Sequence, residues 1–320
     1  MILTKTPYRV SFFGGGSDYE GWFRTHGGVA LSTSIDQYCH VLLRHPPSFA
    51  TSAYRVNWAK VEEVNAVADI EHSGVRGCLQ YLDIEGGVEV THAGDLPART
   101  GLGSSSAFTV GMLHALHVLE GRLVTHRLLA EQAIIVEQQV LKETVGIQDQ
   151  IACSHGGFNL IEIARDGSWT VQPIPMTGSI RTALQSRLWM YYTGRQRYSS
   201  EVAEEQVAKG TAKDMASIVG LVPVALDALS RGELDRFGNL LHHTWMIKRG
   251  LGDKVSTPEI DAAYDSAISA GALGGKVMGA GSGGFMVFYV PEKATGAVME
   301  ALPGIIPLRF EKGGSQVVMA

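Results

Sequence analysis

The chain has 320 residues, 45% of them hydrophobic and 18% charged, which suits a soluble globular protein with a large core and two lobes. A formal net charge of −5 and the lack of any basic run of five residues argue against a nucleic-acid partner, and no stretch of 18 uninterrupted apolar residues is present, so no membrane span is expected. Cys39, Cys78 and Cys153 lie far apart with no CxxC pair, and Met1–Pro7 carries no apolar signal core, which points to reduced thiols in a cytoplasm.

The first element read along the chain is a strand over Tyr8–Phe13, which stops at Gly14-Gly15-Gly16. Further strand signals lie at Tyr38–Leu43 and Val88–Thr91. Residues 105–120 read as a helix, with Ala107, Val110, Met112, Leu113, Leu116 and Leu119 apolar, and 127–143 as a second. Strands return over 156–175, with a turn at Asp166-Gly167. Pro173, Pro175 and Thr177-Gly178-Ser179 predict a boundary between domains 1–175 and 176–320. Beyond it come a strand at Leu188–Tyr192, helices at 199–230, 233–248 and 257–271, and strands at 285–290 and 306–319. Without repeats or strict βαβ alternation, the class expected is α+β.

Glycine, at 38 residues, clusters in loops placed to close on a ligand. Gly101 and Gly103 precede Ser104-Ser105-Ser106 at the start of the first helix, where unpaired N–H groups make an anion site. A plain capped helix explains the same residues. Gly279–Gly284 matches GxGxxG literally, but Phe285–Val290 reads as a strand where a dinucleotide fold needs a helix. Ala270 and Val277 likewise break a Walker A pattern around Lys276. Glu137 has Ala133, Ile134, Val140 and Leu141 as helical neighbours, so a carboxylate falls on an apolar stripe. It either binds a cation or is salt-bridged at the rim. Asp149, twelve residues later, is read as leaving the helix in a short polar loop, as a proton acceptor or as a turn residue. Asp18, beyond the three glycines, suits vicinal sugar hydroxyls or an Asx turn.

Three stretches in order resemble the motifs of the GHMP kinases: Pro7–Tyr19, Pro97–Ala107 and Lys276–Gly284. The resemblance covers nearly the whole chain. It implies a two-lobed fold, with an N-terminal mixed α/β nucleotide-binding lobe and a C-terminal ferredoxin-like α/β lobe. It also implies ATP and Mg²⁺ as cofactors. Pro97, Gly101, Leu102, Gly103, Ser104, Ser105, Ser106 and Ala107 would then cradle the ATP phosphates. Ser105 and Glu137 would hold Mg²⁺, Asp149 would be the catalytic aspartate and Arg9 its cationic partner. Gly15, Gly16, Ser17 and Asp18, with Gly281 of the third motif, would meet the substrate.

Within the family, Gly14–Asp18, Tyr192–Glu201 and His242-x-x-Trp245-x-x-Lys248-Arg249 resemble the D-glycero-D-manno-heptose 7-phosphate kinases. This implies phosphorylation of the anomeric hydroxyl of a small-molecule sugar phosphate by a monomer or homodimer, with Arg195, Arg197, Lys248 and Arg249 as candidate cations for the distal phosphate. Another sugar 1-kinase of the fucokinase or galactokinase kind, or a non-catalytic ATP and sugar sensor, are the alternatives.

Overall fold

A computed structural model describes residues 1–196 and 211–320. Strand β1 (Ile2–Phe13) leads through helix α1 (Glu20–His26) into β2 (Gly28–Arg44), which is long enough to pair with several partners at different points. Next come β3 (Tyr54–Asn57), β4 (Val61–Val64), α2 (Ser73–Leu82) and β5 (Val88–Gly94). They are followed by α3 (Ser104–Leu119), α4 (His126–Ile135), α5 (Gln148–His155), β6 (Phe158–Ile163) and β7 (Trp169–Pro173). β2 pairs antiparallel with β1, β5 and β6, so one sheet carries the whole first lobe.

The β1–β2 register slips between Pro7 and Arg9. Proline has no N–H for the ladder and is tolerated at such a bulge. An irregularity of this kind re-aims the side chains beyond it, the first of them Arg9. Against this sheet lies α3, buried almost continuously from Ser106 to Leu113, with α2, α4 and α5 around it. A helix apolar on all sides belongs at the centre of a core rather than on its surface.

The second lobe contains α6 (Gly178–Gln185), β8 (Leu188–Tyr192), α7 (Ala212–Arg231), α8 (Leu234–Arg249), α9 (Pro258–Ser269), β9 (Gly274–Val277), β10 (Phe285–Tyr289), α10 (Thr295–Ala301) and β11 (Ile306–Pro307). Its antiparallel sheet has the order β11-β8-β10-β9, the ferredoxin-like arrangement. Phe285, Val287 and Tyr289 face a core shared with the first sheet. Met286, Phe288 and Val290 face a second core with Trp245 and Tyr264. Burial on both faces explains why this strand reads as one unbroken apolar run.

The α+β architecture with two lobes is the one expected, and two local readings are corrected. The strand signals over 306–319 resolve into three short strands. After β11 the chain crosses to the first sheet, where β12 (Phe310–Glu311) pairs with β2 and β13 (Gln316–Met319) with β1. The helix expected over 127–143 stops at Ile135 and passes into a π-turn, Val136–Val140, with Leu141 N–H bonded to the Val136 carbonyl. Asp149 lies not in a loop but in the first turn of α5.

Candidate active site

A cavity of about 540 Å³ opens between the loops that follow β1 and precede α3 and the helices α7 and α8. Arg9, nearly buried, crosses its floor. Its Nε and one terminal nitrogen donate to the two carboxylate oxygens of Asp149 at 2.7 and 2.5 Å, and the other terminal nitrogen donates to the Gly101 carbonyl at 2.7 Å. A bidentate fork of this kind fixes the carboxylate in orientation as well as in charge. Three of the guanidinium's five N–H groups are so used, and two remain.

Gly103, left-handed at φ 73°, occupies the N-cap of α3, and no side chain caps the helix. The serine triplet therefore does not serve as a cap, and the N–H groups of the first turn stay available to an anion. Close contact holds this loop in place. A Cβ on Gly101 would lie 2.3 Å from the Met278 carbonyl oxygen, and one on Gly284 2.2 Å from that of Thr100. Phe285 N–H donates to the Thr100 carbonyl at 3.0 Å, so the serine loop and the third glycine-rich loop are locked backbone to backbone.

Glu137 sits in the π-turn and is wholly buried. Its Oε2 accepts from Ser106 Oγ at 3.0 Å and from Gln150 Nε2 at 2.5 Å, while Oε1 meets no hydrogen-bond geometry among the described residues. Burial, and then the neighbouring Glu143, push its carboxyl up to about 8. A buried carboxylate oxygen left unpaired on a cavity wall is what a bound cation would satisfy, so the residues present fit Mg²⁺. The serine already bonded to that carboxylate is Ser106; Ser105 stands exposed on the wall.

Asp18 is buried and held by Gly16 N–H at 2.9 Å, Gln148 N–H at 3.2 Å and Gln148 Nε2 at 3.1 Å. Burial first, and then Asp149, raise its carboxyl above the usual carboxylate range. A Cβ on Gly146 would stand 1.9 Å from Asp18 Oδ2, so only glycine lets the chain pass there.

The cavity wall thus gathers Arg9, Gly15, Gly16, Asp18, Gly101, Gly103, Ser104, Ser105, Ser106, Glu137, Asp149 and Lys248. Other residues expected at the site stand behind it. Leu102 and Ala107 are core, and Pro97 only accepts a bond from Thr100 through its carbonyl. The Ser17 hydroxyl donates to the Gly14 and Val29 carbonyls, and Gly281 packs against the Val255 backbone. Of the candidate phosphate cations, Lys248 reaches the wall and donates to the Val277 carbonyl at 3.2 Å and to that of Gly279. Arg195 pairs with Glu259 at 2.6 Å and Arg249 with Asp261 at 3.4 Å, neither on the wall. Arg197 lies outside the described residues. Trp245 is core, and His242 bonds the Tyr264 hydroxyl through Nδ1 at 2.6 Å.

Sequence reasoning gave no role to Lys276, Gln148 or Lys142. Lys276, almost fully buried, donates from Nζ to the Ser11 and Phe12 carbonyls, each at 3.0 Å. Burial and then Arg9 press its amine down to about 7. Its place at the head of the third glycine-rich motif was the available signal. Gln148 bridges Asp18 to Ser11 Oγ.

Residues 65–157 match the family model of the GHMP kinases N terminal domain, and residues 225–303 that of the GHMP kinases C terminal domain. A D-glycero-alpha-D-manno-heptose 7-phosphate kinase of Campylobacter jejuni is 27% identical over 310 residues, covering 90% of this chain and 89% of that protein. A galactokinase of Pyrococcus furiosus is 25% identical over 340 residues, covering 94% and 92%. Among solved structures, a D-glycero-D-manno-heptose 1-phosphate kinase from Bacteroides thetaiotaomicron superposes with a TM-score of 0.82 at 25% identity, over 100% of this chain and 99% of that one.

Proposed function

The chain belongs to the GHMP kinase family, and from that premise we propose that it moves the γ-phosphoryl group of ATP onto the anomeric hydroxyl of D-glycero-D-manno-heptose 7-phosphate. The product would be the 1,7-bisphosphate, an early compound on the way to nucleotide-activated heptose for cell-surface polysaccharide. That the enzyme is a sugar kinase, a phosphotransferase with a hydroxyl acceptor and ATP as donor, follows from its relatives. No described helix is long and apolar enough to cross a membrane.

One observation carries the assignment of roles: the Arg9–Asp149 fork stands on the same wall as Asp18 and Glu137. Asp149 accepts the hydrogen bond of the anomeric hydroxyl and takes its proton. The bond from that oxygen to the γ-phosphorus forms as the bond from phosphorus to the bridging oxygen breaks, and ADP leaves with the electron pair. Holding the hydroxyl in line supplies more of the rate than proton transfer does. The two remaining N–H groups of Arg9 meet the charge on the transferring oxygens. Asp18, fixed by three donors, presents a rigid edge to sugar hydroxyls. The uncapped first turn of α3 and Ser104–Ser106 receive the ATP phosphates. Glu137 with Ser106 or Ser105 would hold Mg²⁺, which would supply neutralisation of the phosphate charge. Lys248 is the candidate for the distal phosphate. The boundary near residue 175 separates the lobe that supplies the phosphate loop from the lobe that supplies Lys248 and the third motif.

Release of ADP, followed over free and phosphorylated sugars, tests the acceptor. Turnover of heptose 7-phosphate well above free heptose, fucose or galactose supports the assignment, and turnover of unphosphorylated sugars alone overturns it. Asp149→Asn keeps the shape of the fork while removing the base. It should lower kcat by roughly 10²–10⁴-fold and leave binding of a non-hydrolysable ATP analogue within a few-fold of wild type. A kcat close to wild type would remove Asp149 from its role.

A further inference from the structure

Lys142 has a left-handed backbone, with φ 57°. It comes just after the π-turn where the helix stops, and the N–H of the next residue, Glu143, bonds back to the Glu137 carbonyl at 2.9 Å. This is the position after a helix end at which glycine is favoured, because a Cβ is strained there. Among the described residues the Lys142 ammonium makes no hydrogen bond and no ion pair, and the exposed side chain lies on the cavity wall. The left-handed turn brings the Glu143 backbone bond but no hydrogen bond or ion pair for the ammonium among the described residues, and strained residues of this sort collect where a ligand is met.

Three other cations on that wall already hold protein groups. Arg9 holds Asp149, Lys248 donates to the Val277 and Gly279 carbonyls, and Lys276 to those of Ser11 and Phe12. Arg99, also on the wall, is likewise left-handed at φ 62°. The loop carrying Lys142 runs from Glu137, on the side given to the ATP phosphates, to Gly146, pressed against Asp18 on the side given to the sugar.

We propose that Lys142 is a phosphate-binding residue, its ammonium gripping phosphoryl oxygens inside this cavity. They belong either to the ATP γ-phosphoryl group or to the distal phosphate of the acceptor. The inference rests on the phosphotransferase reading only in needing a phosphorylated ligand.

Lys142→Gly tests it without threatening the fold, because glycine relieves the strain. The melting temperature should be unchanged or slightly raised. Loss of a charged hydrogen bond then predicts a roughly tenfold to hundredfold weakening in one of two measurements. Weaker binding of a non-hydrolysable ATP analogue with Mg²⁺ assigns the donor. A raised KM for the acceptor that wild type turns over best, with the nucleotide unaffected, assigns the distal phosphate. Lys142→Arg should restore most of the loss and Lys142→Asn, which tolerates the left-handed backbone, should not. Nucleotide binding, KM and kcat all within twofold of wild type would overturn the proposal, as would a marked fall in melting temperature for the glycine variant. Failure of the heptose assignment reads out separately, in the acceptors that the wild-type enzyme uses.

Discussion

Glu137 shows most sharply how one side chain can be costly to the empty protein and, on the proposed reading, needed by the loaded one. Its folded carboxyl titrates near 8 against an ordinary 4.5, mainly because it is buried. A raised carboxyl means that the folded state holds a proton which the unfolded state has lost. Stability is therefore full below pH 4.5 and falls as pH rises towards 8, by an amount of the order of a few kcal/mol. On the proposed reading Glu137 would hold Mg²⁺ in its deprotonated form, which would reverse the balance and release that proton at any pH below about 8. Glu137→Gln keeps the shape, leaves an oxygen for Ser106 and Gln150, and removes the charge. The variant should melt higher than wild type at about pH 8.5 without Mg²⁺, the gap should close towards about pH 5, and Mg²⁺-dependent tightening of ATP binding should vanish. Nucleotide binding that responds to Mg²⁺ as strongly in the variant as in wild type would take the metal away from this carboxylate.

At the scale of elements, the site is made by two loops that touch through backbone where glycine alone fits. Gly101 combines a left-handed φ of 81° with a Cβ position 2.3 Å from the Met278 carbonyl oxygen, whereas Gly121 has φ 65° and nothing within 4 Å of its Cβ position. Alanine at Gly121 therefore meets only the backbone strain, of about 1 kcal/mol. Alanine at Gly101 meets that strain and must also part the serine loop from the third motif. Gly101→Ala should lose at least about 2 kcal/mol more than Gly121→Ala in chemical denaturation, and it should raise the KM for ATP far more than that for the acceptor. Equal losses in the two variants would mean that the loops do not depend on this contact. These loops were legible in the sequence because glycine clusters mark close approach. So was β10, whose apolar run excluded a dinucleotide fold. The end of α4 was not legible, since Val136–Val140 keeps an apolar helical spacing and nothing local announces a π-turn. Nor was the start of α5: Gly146 reads as a loop residue, and its true constraint is Asp18, far away in sequence. The split of residues 306–319 depends on which sheet each piece reaches, a matter of tertiary pairing rather than propensity.

For the whole molecule, the question is what holds two sheets in register around one cavity. The C-terminal strands β12 and β13 return to the first sheet, and the core containing Phe12, Phe237 and Tyr289 is continuous between the lobes. Lys276 adds a polar tie, running from β9 of the second sheet to the carbonyls of Ser11 and Phe12 at the end of β1. Those carbonyls lead directly into the loop carrying Gly15, Gly16 and Asp18, so the tie positions the side of the cavity proposed for the acceptor from the opposite lobe. Its amine is pressed down to about 7, by burial first and then by Arg9. A lowered amine means that the unfolded chain binds the extra proton between pH 7 and its ordinary 10.5, so this group makes stability rise with pH across that window. The slope is opposite in sign to that of Glu137 and takes over near the upper end of its range. Lys276→Met fills the space without the charge and loses the tie. Its melting temperature subtracted from that of wild type should give a difference that grows from about pH 7 to about pH 10. Since β1 also carries Arg9, kcat should fall together with a rise in acceptor KM, while ATP analogue binding changes little. A pH-independent difference in melting temperature with both kinetic constants intact would show that hydrophobic packing alone sets the register of the lobes, and that Lys276 is a buried cation without a positioning role.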